Sequence, residues 1–224
     1  MTTWAIVVAA GSGSRFGGAK QLQLLGDRRV LDWALGAAAS IAAGVVLVTA
    51  DGSSAVIEAD TATVPSAASS PALVVVPGGD SRSASVRAGL AAVPAEADVI
   101  VVHDAARPLA TPQLFERVVR AVREGADGAI PVVAVVDTIR RRSGGVVDRD
   151  ELVAVQTPQA FRADVLRTAH ASGADATDDA ALVESAGGTV VVVDGEPENR
   201  KITTPVDLLI AEALAPSARD EGVR

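Results

Sequence analysis

Residues 5–20 read AIVVAAGSGSRFGGAK, in which an apolar run passes directly into a glycine-rich loop that carries Arg15 and Lys20. A short apolar run of this kind predicts a strand that is buried on both faces of a parallel sheet. The loop matches neither GxGxxG nor GxxxxGK[ST], because Arg15 and Phe16 stand where the third glycine is needed and Gln21 follows the lysine. Glycines let backbone N–H groups approach a phosphate closely. The stretch therefore predicts an anion-binding loop; a tight turn with two solvated cations is the alternative.

Further apolar runs alternate with helical patterns along the whole chain. The predicted strands are residues 5–9, 45–49, 73–76, 99–102, 129–136 and 190–193. The predicted helices are residues 30–43, 81–93, 112–124, 163–172, 179–186 and 205–215. This alternation predicts an α/β fold: a Rossmann-like, doubly wound, mostly parallel sheet, in which ligands bind at the carboxyl ends of the strands.

Composition sets limits on the class of protein. The 224 residues, of which 49% are hydrophobic, suit a single domain spanning residues 1–224. The absence of Cys excludes disulfides and thiolate metal sites, and the net charge of -8 argues against a nucleic-acid partner. No apolar run approaches the roughly 20 residues of a membrane span. The start, MTTWAIVVAA, lacks the basic region of a signal peptide, so we expect a cytoplasmic protein without a membrane partner.

One segment interrupts the alternation. Residues 137–161 carry β-type side chains around the turn signal Ser143–Gly145, which predicts a protruding β-arm inserted in the domain. A disordered surface loop is the alternative. Residues 61–70 are rich in Ala, Ser and Pro and predict a flexible connection, and the residues after Pro216 predict a frayed tail.

Two further motifs follow predicted strands. Residues 78–86, GGDSRSASV, join a glycine turn to Arg82 at a helix start, which indicates a second small-group binding turn or an ordinary capped helix. Asp104 ends a buried strand, where it could hold a ribose or a divalent cation such as Mg²⁺. An ion pair between Asp104 and Arg107 that closes the loop is the alternative. The adjacent His103 is interpreted as structural.

Polar segments elsewhere place hydroxyls and cations at loop ends. They are residues 137–138, 156–159, 177–179 and 198–203. Such a set suits a phosphorylated polyol, whose phosphate needs cations and whose hydroxyls need short polar partners. Solvated surface segments are the alternative for each one taken alone.

In order, these motifs resemble a known family. Between Ala5 and about Leu209 the chain is similar to the 2-C-methyl-D-erythritol 4-phosphate cytidylyltransferases. The motifs that carry the resemblance are AAGxGxR…K, GGxxRxxSV, VHDAARP, DT, QTPQ, TDDA and ENxKIT. The resemblance implies a nucleotidyltransferase fold, CTP and a polyol phosphate as substrates, Mg²⁺ as the cofactor, and a homodimer formed through the arm.

The resemblance also implies roles for individual residues. Catalytic roles at the phosphates fall on Arg15, Lys20 and Lys201. Nucleotide binding falls on Ala9, Ala10, Gly11, Gly13, Gly78, Asp80, Ser85, Asp104 and Ala105. Acceptor binding falls on Arg107, Thr138, Arg149, Thr157, Thr177 and Glu198. Asp104 is also the candidate metal ligand.

Two other functions stay open at this point. Ribitol 5-phosphate is an alternative acceptor, because enzymes that act on it share most of these motifs. A nucleotide-binding protein without activity is the alternative of another class, against which Arg15, Lys20 and Lys201 argue. No catalytic His is required, because an acceptor phosphate with a second pKa of about 6 is already mostly dianionic at pH 7.

Overall fold

The computed structural model describes residues 1–11, 13, 15–50 and 71–215, so the predicted connection at 61–70 and the predicted tail after Pro216 lie outside the described residues. The strands are β1 Thr3–Ala9, β2 Leu24–Leu25, β3 Arg28–Arg29, β4 Gly44–Thr49, β5 Ala72–Pro77, β6 Val99–Asp104, β7 Gly128–Ala134, β8 Ile139–Arg140, β9 Val146–Val147, β10 Val153–Val155, β11 Gln159–Arg162 and β12 Val190–Asp194. The α-helices are α1 Val30–Ala39, α2 Arg82–Ala92, α3 Pro112–Arg123, α4 Ala163–Ala171, α5 Asp179–Ser185 and α6 Pro205–Leu214.

Eight of these strands form one mostly parallel sheet. Its order is β5-β4-β1-β6-β11-β7-β12, and β10 pairs with the end of β7. The pairs β1–β4, β1–β6, β4–β5 and β7–β12 are parallel, whereas β11 is antiparallel to both β6 and β7. The predicted doubly wound sheet is therefore confirmed, and the carboxyl ends of β1, β4, β5 and β6 share one edge.

Helices cover both faces of the sheet, because alternate side chains of a strand point to opposite faces. On β1, Ala5 and Val7 pack in a cluster with α1 and α3, whereas Ile6 packs in a second cluster with α2, α4 and α5. Every residue of β4 and β6 is buried. Burial on both faces explains why these strands read as continuous apolar runs.

The predicted strands and helices all occur, with end shifts of a few residues. The largest helical shift is in α1, which ends at Ala39 and not at Ala43, because the chain turns there into β4. Among the described residues, no helix has the combination of length and apolar character needed to cross a bilayer.

The β-arm is narrower than the predicted residues 137–161. Its separate part is the β8–β9 hairpin, which pairs Ile139 with Val147 outside the main sheet. β10 and β11 belong to the main sheet, and Ala160 and Phe161 of β11 are fully buried between β6 and β7. The prediction missed β11 because the two apolar residues after the polar QTPQ segment give too short a signal for a buried strand, and it missed β10 because only three residues precede that segment.

Candidate active site

A pocket of about 470 Å³ opens at the carboxyl edge of the sheet. The ends of β1 and β6, the glycine-rich loop, the start of α2 and the loop before α6 form its walls. Its lining residues are Val8, Ala9, Ala10, Gly11, Gly13, Arg15, Phe16, Lys20, Gln21, Gly79, Asp80, Ser81, Arg82, Ser85, Asp104, Ala105, Ala106, Lys201 and Thr203. Its position is the one where parallel α/β sheets bind ligands.

The glycine-rich loop folds back on Gly13. Phe16 and Gly17 donate backbone hydrogen bonds of 2.8 and 3.0 Å to the Gly13 carbonyl oxygen. Gly13 has a φ of 65°, and a Cβ there would overlap the carbonyl oxygen of Gly18, so the turn requires glycine. The chain then enters a 3₁₀ turn at Lys20, which brings both Arg15 and Lys20 to the pocket.

Three cations of the pocket lie close enough to influence one another. The pKa of Lys20 is lowered from its ordinary value, first by burial and then by the charge of Lys201, with a further contribution from Arg15. Lys20 Nζ donates to the carbonyl oxygen of Ile202 at 2.8 Å, which ties the two loops together. A concentration of positive charge that opposes its own protonation is suited to a polyanionic ligand.

Asp104 stands between two cations at the end of β6. Its Oδ1 accepts from Arg82 Nε at 3.1 Å, and its Oδ2 accepts from Lys201 Nζ at 2.6 Å. Burial alone would raise the pKa of Asp104, but the charges of Arg82 and Lys201 hold that pKa well below its ordinary range. The ion pair considered from sequence thus exists with different partners. Arg107 donates instead to the carbonyl oxygens of Asn199 and Val155.

The carboxylates that line the pocket are Asp80 and Asp104. The described part of the chain holds no group of three or more His, Cys, Asp or Glu side chains suited to a metal ion. Both oxygens of Asp104 already accept from cations. A divalent ion here would therefore depend mainly on oxygens of a bound phosphate, which is the usual pattern for Mg²⁺ at nucleotide sites.

The pocket brings together most of the site residues predicted from sequence. They are Ala9, Ala10, Gly11, Gly13, Arg15, Lys20, Asp80, Ser85, Asp104, Ala105 and Lys201. Gly78 lies just behind the wall, where a Cβ would overlap Ala10 and come within 2.9 Å of Ser85 Oγ.

Other predicted residues lie outside the pocket lining. Thr157 is buried beneath the site, and its Oγ1 accepts from the backbone N of Asp104 at 3.0 Å. Thr138, Thr177 and Glu198 are exposed. Arg149 is exposed at the base of the hairpin, where its Nη1 donates to the carbonyl oxygen of Val136 at 2.6 Å.

His103 has the features of a structural residue. It is fully buried, with Nδ1 3.2 Å from Thr157 Oγ1 and Nε2 3.1 Å from the carbonyl oxygen of Arg107. Burial is the main cause that lowers the pKa of His103 to about 4. The ring is therefore neutral near pH 7 and fastens the end of β6 to two loops.

Sequence reasoning did not select Arg82 or Asn199 as functional residues. Arg82 stood in the quoted GGDSRSASV motif, but its carboxylate partners lie 22 and 97 residues away. Asn199 stood in the ENRKIT segment, and its side chain donates to the Thr157 carbonyl oxygen at 2.9 Å. Both motifs were visible; the contacts across the fold were not.

Comparison with known proteins places the chain among named enzymes. The family model of 2-C-methyl-D-erythritol 4-phosphate cytidylyltransferase (IspD) matches residues 3–216. The enzyme of that name from Rubrobacter xylanophilus is 51% identical over 134 residues, which are 56% of this chain and 58% of the relative. A bifunctional enzyme IspD/IspF from Rhodospirillum rubrum is 43% identical over 222 residues, covering 94% of this chain and 56% of the relative. The matched part thus spans somewhat more than half of these curated relatives.

Solved structures give the same likeness over nearly full length. A 2-C-methyl-D-erythritol 4-phosphate cytidylyltransferase from Thermus thermophilus has a TM-score of 0.78 and 35% identity, covering 96% of this chain and 98% of that one. A 4-diphosphocytidyl-2C-methyl-D-erythritol synthase from Anaerococcus prevotii has a TM-score of 0.80 and 28% identity, covering 95% and 97%.

Proposed function

The chain belongs to the 2-C-methyl-D-erythritol 4-phosphate cytidylyltransferase family, and from this premise we propose that it transfers the cytidylyl group of CTP to 2-C-methyl-D-erythritol 4-phosphate. The products are 4-diphosphocytidyl-2-C-methyl-D-erythritol and pyrophosphate, in the non-mevalonate route to isoprenoids. The observation that carries the proposal is the meeting of Arg15, Lys20 and Lys201 in one pocket at the carboxyl edge of the sheet. Transfer between two phosphates needs such a concentration of positive charge.

The reaction is an in-line displacement at phosphorus. An oxygen of the acceptor phosphate attacks the α-phosphorus of CTP and forms a new P–O bond. The bond from the α-phosphorus to the bridging β-oxygen breaks, and its electron pair leaves with pyrophosphate. Because the acceptor is a dianion, no general base is required, and the protein contributes alignment and charge stabilisation.

We assign the cations separate parts in this step. The planar fork of Arg15 suits two oxygens of the triphosphate, and the compact charge of Lys20 suits the transition state at the α-phosphorus. Lys201 faces the acceptor phosphate. The cytidine lies along the backbone of Ala9–Gly11 and the turn at Gly79–Asp80, and Ser85 and Ala105 complete that wall.

Mg²⁺ is the proposed cofactor, and it supplies charge to the triphosphate when bound. Asp104 would coordinate the ion directly if Arg82 or Lys201 moved away from its carboxylate. With both cations in place, it would hold the ion through a water molecule. In either case Asp104→Asn should raise the Mg²⁺ concentration that gives half-maximal rate. An unchanged titration would leave Asp104 with the ion-pair role alone.

A homodimer formed through the arm is also proposed. Apolar side chains are exposed around the arm: Val136 just before it by 78%, Val146 in the hairpin by 56%, and Val153 and Val155 in β10 by 51% and 37%. A second copy of the chain would cover this apolar surface. Arg149 lies in the same region and would then reach the acceptor phosphate of the neighbouring subunit. We take the cytoplasm, where CTP is supplied, as the compartment.

The proposed function is tested by measuring pyrophosphate release from CTP with each acceptor. We expect release with methylerythritol phosphate, much less with ribitol 5-phosphate, and none without an acceptor. A site built to pair hydroxyls rejects poorly matched polyols, because its own polar groups are left unpaired. A higher kcat/KM for ribitol 5-phosphate would contradict the assignment of methylerythritol phosphate as the acceptor. If neither acceptor led to release of pyrophosphate, the proposed activity would be contradicted.

A further inference from the structure

Two titratable side chains, His170 and Asp179, are buried beside the pocket without lining it. His170 lies in α4 and Asp179 begins α5; their side chains are 2% and 0% exposed. Burial of a charged side chain such as that of Asp179 costs several kcal/mol, and apolar side chains of similar volume often stabilise a core as well as or better than a buried ionic contact. This pair therefore suggests a role other than stability.

The Asp179 carboxylate is held from two sides. Its Oδ2 accepts from Arg82 Nη1 at 2.8 Å, and its Oδ1 accepts from His170 Nε2 at 2.9 Å. Because the carboxylate can only accept, Nε2 of His170 carries the hydrogen. Nδ1 of His170 has no hydrogen-bond partner among the described residues. Within the described residues, the one hydrogen bond of the ring is thus with Asp179, and it orients that carboxylate.

Arg82 carries this orientation into the pocket. Its Nη1 is fixed by Asp179, and its Nε donates to Asp104 Oδ1 at 3.1 Å. Since the guanidinium is planar and rigid, fixing Nη1 also fixes the direction of Nε. Asp104 in turn accepts from Lys201 through its other oxygen, at 2.6 Å. A continuous chain of contacts thus leads from His170 to the lysine assigned to the acceptor phosphate.

We infer that the buried Asp179–His170 pair is a positioning device, which holds Arg82 and through it sets the arrangement of Asp104 and Lys201 for the transfer step. The inference rests on the proposed function, which gives Lys201 its task. Arg82 shares the negative charge of Asp104. Without an oriented Arg82, the Asp104 carboxylate would pair with Lys201 alone. That stronger pairing would hold the Lys201 ammonium away from the acceptor phosphate.

Asp179→Asn tests the device, because the side-chain amide keeps an acceptor for His170 and offers an N–H₂ group towards Arg82. We expect kcat to fall by about 10–100-fold, the effect of losing a residue that orients an active group. The KM for CTP should change by less than about 3-fold, because the triphosphate contacts remain.

The matched control is Asp127→Asn, at the opposite edge of the sheet. Asp127 accepts from the backbone N of Thr189 at 3.0 Å and precedes β7. This variant should lose stability while keeping the kcat of the parent. Thermal unfolding of both variants separates an effect on stability from an effect on turnover.

Two substitutions of His170 decide the matter if Asp179→Asn does not fold. His170→Gln keeps a donor close to the position of Nε2, so its kcat should stay within about 3-fold of the parent. His170→Leu removes the donor and should lower kcat by about 10-fold or more. Equal kcat values in these two variants would overturn the inference.

A double-mutant cycle tests whether Asp179 acts through Arg82. Adding Asp179→Asn to Arg82→Gln should cause little further loss of kcat, because residues of one network are not additive. Additive losses, or a parent-like kcat in folded Asp179→Asn, would overturn the inference and leave the proposed function intact. A parent that fails to transfer the cytidylyl group would overturn both.

Discussion

Lys20 keeps a positive charge where its surroundings oppose that charge. Burial and the neighbouring Lys201 and Arg15 lower its pKa. The protonated lysine is therefore destabilised until an anionic ligand binds. We expect Lys20→Ala to lower kcat by about 10²–10³-fold, the usual loss when one preorganised charge stabiliser is removed. Steady-state kinetics with CTP check this. A variant with parental kcat and only a raised KM would contradict the assignment, because that result marks uniform binding.

The same pKa shift predicts a pH dependence. Because the pKa of Lys20 lies below its ordinary 10.5, the lysine loses its proton at a lower pH than a free lysine does. The kcat/KM of the parent should therefore decline on the alkaline side before pH 10.5 is reached. An arginine stays protonated over this range. Lys20→Arg should move the decline to higher pH; an unmoved alkaline limb would show that another group causes it.

His103 predicts a loss of stability in mild acid. The folded pKa of about 4 lies below the ordinary 6.5, so the unfolded chain binds a proton that the folded chain does not. The contribution of neutral His103 to the stability of the fold is complete above pH 6.5 and is lost as the pH falls from 6.5 to 4. This amounts to a decrease of about 3 kcal/mol in the free energy of unfolding.

Urea unfolding of the parent and of His103→Gln across this pH range measures the effect. The variant lacks the titrating ring, so its free energy of unfolding should fall less between pH 6.5 and 4. Parallel pH curves for the two proteins would rule out His103 as the cause.

Single residues could be predicted from sequence where the local chain determines their position. Arg15 and Lys20 follow the buried β1, Asp104 ends the buried β6, and strand ends meet at one edge, so their convergence was predictable. The partners of Asp104 were not predictable. Sequence proximity suggested Arg107, but the carboxylate accepts from Arg82 and Lys201. Side-chain pairing depends on rotamers and on contacts between distant segments, which a pattern of residue types does not specify.

At the scale of elements, the loop that carries Lys201 is fastened to the QTPQ segment. Asn199 is fully buried, and its Nδ2 donates to the Thr157 carbonyl oxygen at 2.9 Å and to Gln156 Oε1 at 3.3 Å. Its own carbonyl oxygen accepts from Arg107 Nη1 at 2.8 Å. These contacts fix the loop two residues before Lys201.

Asn199→Ala should therefore affect stability and turnover together. Leaving buried polar groups unpaired costs about 1–3 kcal/mol. A loosened Lys201 should lower kcat by about 10–100-fold, because small misplacements of a reacting group have large effects. Arg167→Ala is the control: it removes contacts to the Val93 and Pro94 carbonyl oxygens and should lower stability alone. A parental kcat in Asn199→Ala would contradict the anchoring role.

The elements that sequence predicted well were those with long apolar runs or clear caps. Thr111 and Thr204 cap α3 and α6 directly before a proline, and Thr-Pro is a sequence signal for the start of a helix. β10 and β11 were assigned to the arm because both are short and lie between polar segments. β11 occupies the centre of the sheet through its pairing with β6 and β7, and pairing with distant strands leaves no mark in so few residues.

For the whole molecule, the proposed dimer makes a quantitative prediction. Lys20→Ala and Arg149→Ala would each be inactive alone. If Arg149 serves the neighbouring subunit, each heterodimer of the two variants has one doubly altered site and one unaltered site. After statistical exchange, mixing should restore about a quarter of the parental activity.

The exchange experiment needs evidence that heterodimers form, for example from two different affinity tags. Confirmed heterodimers without restored activity would contradict a shared site, because every site would then retain one lesion. A monomer by sedimentation equilibrium would contradict the dimer itself.

The most direct test of the proposed function is to identify the product. Phosphorus NMR of CTP mixed with methylerythritol phosphate and Mg²⁺ does this during the reaction. We expect the acceptor signal to disappear and two coupled diphosphate signals to grow, one from the α-phosphorus of CTP and one from the acceptor. Pyrophosphate should appear in equal amount. Formation of CMP with an unchanged acceptor signal, or no consumption of CTP, would contradict cytidylyl transfer.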